Sequence, residues 1–283
     1  MPSGSIYQRI KRILLGAPRD LLDPKIFHNV SLIAFFAWVG LGADGISSSS
    51  YGPEEAYLAL GGHTVLALFV AAATVLTVFI ISGSYAQIIE AFPSGGGGYI
   101  VASKLLGERA GVVSGSALVI DYVLTITISV AAGADAIFSF LPMPWLAYKF
   151  GFIVFILLFL IWINLRGVKE SVVALTPIFI AFLFTHIPLV LYAVFRHIGD
   201  LPAVATHVSG DLSAASREIG WLGVGALLLR AYSMGAGTYT GIEAVSNSMQ
   251  TLREPRVQTG KRAMAYLAFS LAFMAGGSSS ATS

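Results

Sequence analysis

Long apolar stretches separated by short polar connections dominate the chain from residue 30 onwards. A helix needs about 20 predominantly apolar residues to cross the hydrocarbon core of a bilayer. Seven stretches approach or exceed that length, and they are 30–62, 64–91, 110–140, 147–165, 171–195, 219–248 and 263–276. The pattern therefore predicts an all-α polytopic membrane protein.

The composition agrees with a chain surrounded by lipid. Apolar residues make up 56% of the 283 residues and charged residues only 11%, whereas soluble domains carry about 25% charged residues. The sequence contains no cysteine, which excludes disulfides and cysteine-based metal sites or nucleophiles. No catalytic triad or metal-ligand spacing occurs, so we predict no enzyme, no cofactor, no structural metal and no nucleic-acid partner.

The positions of lysine and arginine predict the orientation of the chain. Residues 1–29 form a basic arm, and the loop cations other than Lys149, Arg196 and Arg217 fall on the same side as this arm. Lysine and arginine are enriched in cytoplasmic loops. We therefore predict a plasma-membrane protein with a cytoplasmic N-terminus, and an extracellular loop at 196–218.

Two of the predicted spans contain polar, glycine-rich interruptions. Residues 42–52 read Gly-Ala-Asp-Gly-Ile-Ser-Ser-Ser-Ser-Tyr-Gly, and residues 235–241 read Gly-Ala-Gly-Thr-Tyr-Thr-Gly. Glycine and serine weaken a helix, and backbone freed at membrane depth must line a protein interior or a water-filled cavity. Freed carbonyls there can bind a cation. The alternative is a pair of glycine-rich packing faces with no binding site.

Ionisable residues lie beside these interruptions. Asp44 is inside the first, Asp121 is in the middle of the third span, Glu243 follows the second interruption, and Arg230 precedes it. A charge within a span costs at least about 2.5–3.5 kcal/mol, so such residues usually serve a function. An excess of acidic groups favours a positive ligand. The alternative is that Arg230 pairs with Asp121 or Glu243 and only locks helices together.

Hydroxyl groups accompany the carboxylates. Thr125 shares a helix face with Asp121, and Thr240 shares one with Glu243, because each pair is three or four residues apart. Tyr51 and Tyr122 add further hydroxyls, and oxygen donors of this kind suit hard cations. A buried carboxyl group is also a candidate proton carrier, a role for which Glu243 is our first choice and Asp44 our second.

The segment 93–99, Pro-Ser-Gly-Gly-Gly-Gly-Tyr, superficially resembles a phosphate-binding loop. It lacks the Gly-Lys-Ser/Thr ending and the preceding strand of such loops, so nucleotide binding is not expected. We predict a flexible cytoplasmic turn that acts as a gating hinge.

The order of spans, the two interruptions and the 93–99 turn resemble the amino acid–polyamine–organocation (APC) superfamily. Within it, three segments resemble potassium importers of the KUP and KimA type, and they are residues 43–52, residues 121–125, and residues 229–232 with 240–244. This resemblance implies a LeuT-like inverted-repeat fold, in which 30–195 form a first five-helix repeat and 219–276 begin the second. It also implies proton-coupled symport of potassium.

The resemblance assigns roles to individual residues. The positions that match potassium ligands are Asp121, Tyr122, Thr125 and Thr240, those tied to ion binding or coupling are Asp44, Tyr51 and Glu243, and Arg230 is a gating or ion-pair residue. Amino-acid-transporting relatives lack a carboxylate at the position of Asp44. The carboxylate of Asp44 would repel the carboxylate of an amino acid substrate. A permease for amino acids or amines remains the alternative, and the expected partners are lipid, the transported cation or small amine, and a second copy in a homodimer.

The end of the sequence departs from the pattern of this superfamily. The fold requires at least ten spans, and residues 277–283 form a low-complexity tail of small polar residues. We therefore expect a C-terminally incomplete chain, and a truncated fragment that does not transport is a further alternative.

Overall fold

The structure, a computed structural model, describes residues 12, 15–16, 23–197, 199 and 201–281. Most of the predicted basic arm thus lies outside the described residues. The α-helices are α1 (Pro24–Val30), α2 (Ala34–Ser48), α3 (Gly52–Ala59), α4 (Ala67–Ala91), α5 (Gly97–Leu105), α6 (Glu108–Phe138), α7 (Lys149–Arg166), α8 (Val168–His197), α9 (Leu201–Met234), α10 (Ala244–Asn247) and α11 (Arg256–Ala281). Within the described ranges there is no strand, only an isolated parallel bridge between Leu32 and Leu252.

Several helices are long and apolar enough to cross a membrane. Among the described residues they are Thr64–Ala91, Glu108–Phe138, Met143–Arg166, Val168–Arg196 and Thr206–Asn247. Helix α7 buries none of its side chains, and exposed residues such as Phe155 and Leu158 belong in lipid rather than water. The protein is therefore an all-α polytopic membrane protein, as predicted.

The first helix breaks over a shorter stretch than predicted. Helix α2 continues regularly to Ser48, so the interruption is confined to 49–51 before α3 begins at Gly52. The hydroxyls of Ser47 and Ser48 both donate to the carbonyl oxygen of Asp44, at 2.8 and 2.9 Å. Because these bonds stay within the helix, the serines do not open it in the way that their sequence pattern suggests.

The second break is more extensive and lies where the sequence predicts it. Residues Gly235–Tyr239 form a tight 3-10 turn. Thr240 is extended, with ψ of 146°, and Gly241 has a φ of 82°. A left-handed φ is readily adopted only by glycine. Gly241 therefore permits the turn that joins the extended Thr240 to α10.

Two segments predicted to be irregular are helical instead. The proposed extracellular loop 196–218 lies mostly within α9, because Leu212 and Ala215 pack against a hydrophobic cluster and make that stretch an amphipathic helix. The predicted tail 277–283 continues α11 as far as Ala281. At Gly277 an added Cβ would lie 2.2 Å from Val190 Cγ1, so close packing against α8 explains why small residues are used there.

Two hydrophobic clusters flank the breaks. One contains Ile46 from before the first break and Ile242 from after the second, packed with Leu267 and Leu271 of α11. The other is built around Leu60. It contains some residues that follow the first break and others that precede the second. The two interrupted segments therefore run past each other, and their breaks meet between the clusters.

Candidate functional site

The residues on either side of the first break are in direct contact with the second break. A Cβ atom added to Gly45 would lie 3.1 Å from the carbonyl oxygen of Thr240, and one added to Gly241 would lie 2.9 Å from Asp44 Cβ. At Gly52 an added Cβ would lie 2.2 Å from Thr238 Oγ1. A side chain at Gly52 or Gly241 would force neighbouring atoms to shift, and one at Gly45 would make a contact tighter than most.

Helix α6 is hydrogen-bonded to the second break at this meeting point. Thr240 Oγ1 donates to Asp121 Oδ2 at 2.9 Å, and it also lies 3.2 Å from Thr125 Oγ1. Because Thr240 has one hydroxyl proton, donation to Asp121 leaves Thr125 as the donor in the second bond. A chain of three side chains therefore joins residues 121 and 125 to the broken helix.

Three carboxylates lie close enough to interact electrostatically. Asp44 interacts with Asp121, and Glu243 interacts with both of them. All three are partly buried, and Glu243 Oε1 is buried without a hydrogen-bond partner among the described residues. Like charges held together away from bulk water repel one another, so a bound cation or proton would stabilise this arrangement.

Two cavities adjoin the hydrogen-bonded chain. A cavity of about 770 Å³ is lined by Asp44, Tyr122 and Thr125, and by apolar residues of α7. A second cavity of about 280 Å³ is lined by Asp121 and Glu243. The first of these cavities takes in the carboxylate of Asp44 on α2, and the second takes in those on α6 and after the second break.

Tyr51 and Arg230 lie outside this chain of hydrogen bonds. Tyr51 Oη lies 2.8 Å from Ser48 Oγ, and the tyrosine ring packs beside Gly237. Arg230 is exposed and, among the described residues, forms no ion pair with Asp121 or Glu243. The predicted pair does not form because the next residue, Ala231, occupies the buried face of α9.

Comparison with known proteins agrees with this geometry. A family model described as amino acid permease matches residues 29–280. The chain belongs to the amino acid permease family. It is also 32% identical over 278 residues to the potassium transporter KimA of Bacillus subtilis (strain 168), and the match covers 96% of this chain and 44% of KimA. The chain thus spans less than half the length of that relative, and the predicted resemblance is confirmed.

The structure adds Asn247 to the candidate site of this protein. Its Nδ2 donates to Tyr122 Oη at 2.9 Å, and its Oδ1 is buried without a partner among the described residues. Asn247 follows Glu243 by four residues in the sequence, and that spacing places two side chains on the same face of a helical turn. The four-residue spacing could have identified Asn247 from the sequence, although the polar run 246–248 is equally typical of a loop.

The glycine turn packs directly against Asn247. Gly95, Gly96 and Gly97 have φ values of 87°, 92° and 41°, and Gly96 N donates to the carbonyl oxygen of Asn247 at 3.3 Å. A Cβ added to Gly97 would lie 2.1 Å from Asn247 Oδ1. The turn is thus connected to Tyr122 through one asparagine, while its predicted role as a hinge stays a prediction.

Proposed function

We propose that this protein takes part in proton-coupled uptake of potassium across the plasma membrane, as a secondary active transporter. The observation that carries the proposal is the convergence of Asp44, Asp121 and Glu243 where the two helix breaks meet. The potassium transporter named among its relatives supports the same substrate.

The proposed cation ligands are oxygen atoms from both breaks and from α6. Asp121, Thr125 and Thr240 are already joined by hydrogen bonds, and Asp44, Tyr122 and Tyr51 complete the set given by the sequence. Glu243 is the proposed proton carrier, because its buried Oε1 has no hydrogen-bond partner among the described residues. Three neighbouring carboxylates can hold a cation and a proton at the same time, because each bound positive charge reduces the repulsion among them, and this is the electrostatic basis of the proposed coupling.

The proposal also places the described helices in a larger architecture. Residues 30–195 would form a first five-helix repeat and residues 219–276 the start of a second, with the substrate held between the two breaks. The N-terminus and the glycine turn would then face the cytoplasm. A homodimer remains our proposal for its assembly.

A permease for amino acids or amines is the second candidate function. The family description of amino acid permease favours it, and the larger cavity of about 770 Å³ has room for a small organic substrate. The half-buried carboxylate of Asp44 at the first break argues against an amino acid, because it would repel the substrate's own carboxylate. A free amine would not meet this repulsion.

Rubidium uptake tests the proposal when the complete gene is expressed in a bacterium that lacks its own potassium uptake systems. Asp121→Asn is expected to abolish uptake, because it removes a charge from the cluster at nearly constant volume. Asp135→Asn is the matched control on the same helix, since Asp135 is 64% exposed and pairs with Lys149 outside the cluster.

Full uptake by Asp121→Asn would overturn the assignment of this residue. Competition by labelled amino acids, with no effect of potassium, would favour the second candidate function. Reconstitution of the 283-residue chain by itself tests whether these residues alone support any flux.

A further inference from the structure

Two tyrosines, one inside the second break and one just before it, donate hydrogen bonds to two threonines of α4. Tyr239 Oη donates to Thr74 Oγ1 at 3.3 Å. Tyr232 Oη lies 2.8 Å from Thr77 Oγ1. Because the Thr77 hydroxyl donates its single proton to the carbonyl oxygen of Ala73, Tyr232 is the donor in this pair. We call these two tyrosines and two threonines the tyrosine–threonine anchor.

The anchor joins the two hydrophobic clusters that flank the breaks. Tyr239 packs against the cluster that contains Ile242, and Tyr232 packs against the cluster built around Leu60. The centroids of the two tyrosine rings are 5.7 Å apart, so the pair spans the gap between the clusters. Thr74 is only 8% exposed, and a buried hydroxyl that loses its partner is costly. The bond from Tyr239 to α4 is therefore a fixed part of the protein interior.

Three successive residues attach the second break to three different helices. Thr238 Oγ1 packs against Gly52 of α3. Tyr239 bonds to α4, and Thr240 bonds to Asp121 of α6. Thr240 is extended rather than helical, so its direction depends on where its neighbours are held. Because adjacent Cα atoms are 3.8 Å apart, the place of Tyr239 limits where the hydroxyl of Thr240 can lie.

We propose that Tyr239 is a positioning residue for the cation site, which holds the hydroxyl of Thr240 at Asp121 through its own bond to Thr74. Tyr232 supports this arrangement by packing against the ring of Tyr239. Residues that orient metal ligands change the affinity for the metal although they do not touch it. The assignment rests on the proposed function, because it takes Thr240 as a cation ligand.

Equilibrium binding of rubidium to the purified chain tests the assignment with variants that each lack one hydroxyl. Tyr239→Phe and Thr74→Val remove the same hydrogen bond from opposite sides, so either variant serves if the other folds poorly. We expect each to weaken binding about twofold to tenfold, the range that corresponds to one neutral hydrogen bond. Tyr192→Phe is the matched control, since Tyr192 is 68% exposed on α8, and it should bind like the wild type. Wild-type affinity in both anchor variants would overturn the proposal.

Combination with Thr240→Val distinguishes positioning of this hydroxyl from a general loosening of the protein. If Tyr239 acts through Thr240, then Tyr239→Phe should have no further effect on rubidium affinity once the Thr240 hydroxyl is absent, because effects that share one group do not add. The same fold-change with and without that hydroxyl would show that Tyr239 acts independently of Thr240, which contradicts the assignment.

Hydrogen exchange of residues 235–241 in the absence of any cation separates this proposal from the proposed function. The segment should exchange about twofold to tenfold faster in Tyr239→Phe than in Tyr192→Phe, because a segment that has lost one hydrogen bond opens more often. Equal rates would overturn the anchor even if the wild type binds rubidium. If the wild type binds no rubidium, the proposed function fails, and the exchange rates still decide whether Tyr239 holds this segment.

Discussion

Substitution of Gly97 by alanine tests whether the glycine turn is connected to the candidate site through Asn247. The new Cβ would lie 2.1 Å from Asn247 Oδ1 and 2.8 Å from Ser246 Oγ. Because such contacts are far below normal separations, Asn247 must move and give up its 2.9 Å hydrogen bond to Tyr122.

The expected magnitude has two parts. Alanine in a left-handed conformation costs about 1–2 kcal/mol, and Gly97 has a φ of 41°. Loss of the hydrogen bond between Asn247 and Tyr122 adds about 1–3 kcal/mol, because buried polar groups lose a partner. We therefore expect Gly97→Ala to lower the free energy of unfolding by about 2–5 kcal/mol.

Gly61→Ala separates the backbone cost of Gly97→Ala from the cost of the lost hydrogen bond. Gly61 has a comparable φ of 59° but no atom within 4 Å of an added Cβ, so its substitution should cost only the backbone part. Thermal unfolding followed by tryptophan fluorescence in detergent would compare the two variants. A melting temperature several degrees lower for Gly97→Ala than for Gly61→Ala is expected, since each kcal/mol shifts it by about 2–4 °C at this chain length.

The double substitution Gly97→Ala with Asn247→Ala identifies the residue that is displaced. With the asparagine side chain removed, the additional cost of Gly97→Ala should fall to nearly that of Gly61→Ala, because coupled residues do not add. If the two glycine variants melt together, or if the effects at 97 and 247 simply add, then the turn is not connected to Tyr122 through this asparagine.

Two further substitutions address the hydrogen-bonded chain and the proposed proton carrier. Thr240→Val removes the hydroxyl between Asp121 and Thr125 and should weaken rubidium binding about tenfold or more, since a hydrogen bond to a charged group contributes about 1.5–3 kcal/mol. Thr127→Val, which loses only a bond to its own helix, should bind rubidium normally, and equal affinities in the two variants would contradict the role of Thr240. Glu243→Gln should abolish proton-driven accumulation but keep rubidium–potassium exchange across vesicle membranes, whereas accumulation at the normal rate would show that another group carries the proton.

The apolar pattern predicted the five candidate spans found among the described residues, but not the limits of the breaks. The length of each apolar stretch follows from the thickness of a bilayer, so most spans lie close to their predicted positions. The limits of the breaks depend on local bonds that composition does not reveal. Ser48 looks like a helix breaker in the sequence, yet its hydroxyl bonds to Asp44 one turn earlier and keeps α2 intact.

The first part of α9 shows a different cause of error. Residues 201–218 of the predicted loop 196–218 are polar enough to read as a loop, and only their packing on α3 shows that Ala215 is buried and Leu212 partly buried against it. A short stripe of this kind has little weight in a sequence unless the surface that it covers is known.

The sequence could predict which residues to examine for a candidate site better than it could predict how they are arranged. Intramembrane carboxylates attract attention because charge in lipid is costly, which identified Asp44, Asp121 and Glu243. The sequence could not show that Arg230 lies on the exposed face of α9, since one residue of helical register decides this. It also could not show that the glycine turn seats Asn247, because that contact joins residues 150 positions apart in the chain.

Binding of rubidium to the purified chain, measured at equilibrium with no membrane potential or proton gradient, tests the central claim most directly. The cluster at the two breaks predicts saturable binding that potassium displaces, that Asp135→Asn retains, and that Asp121→Asn weakens at least tenfold. Binding of equal affinity in the wild type and Asp121→Asn would contradict the claim that these carboxylates form a cation site.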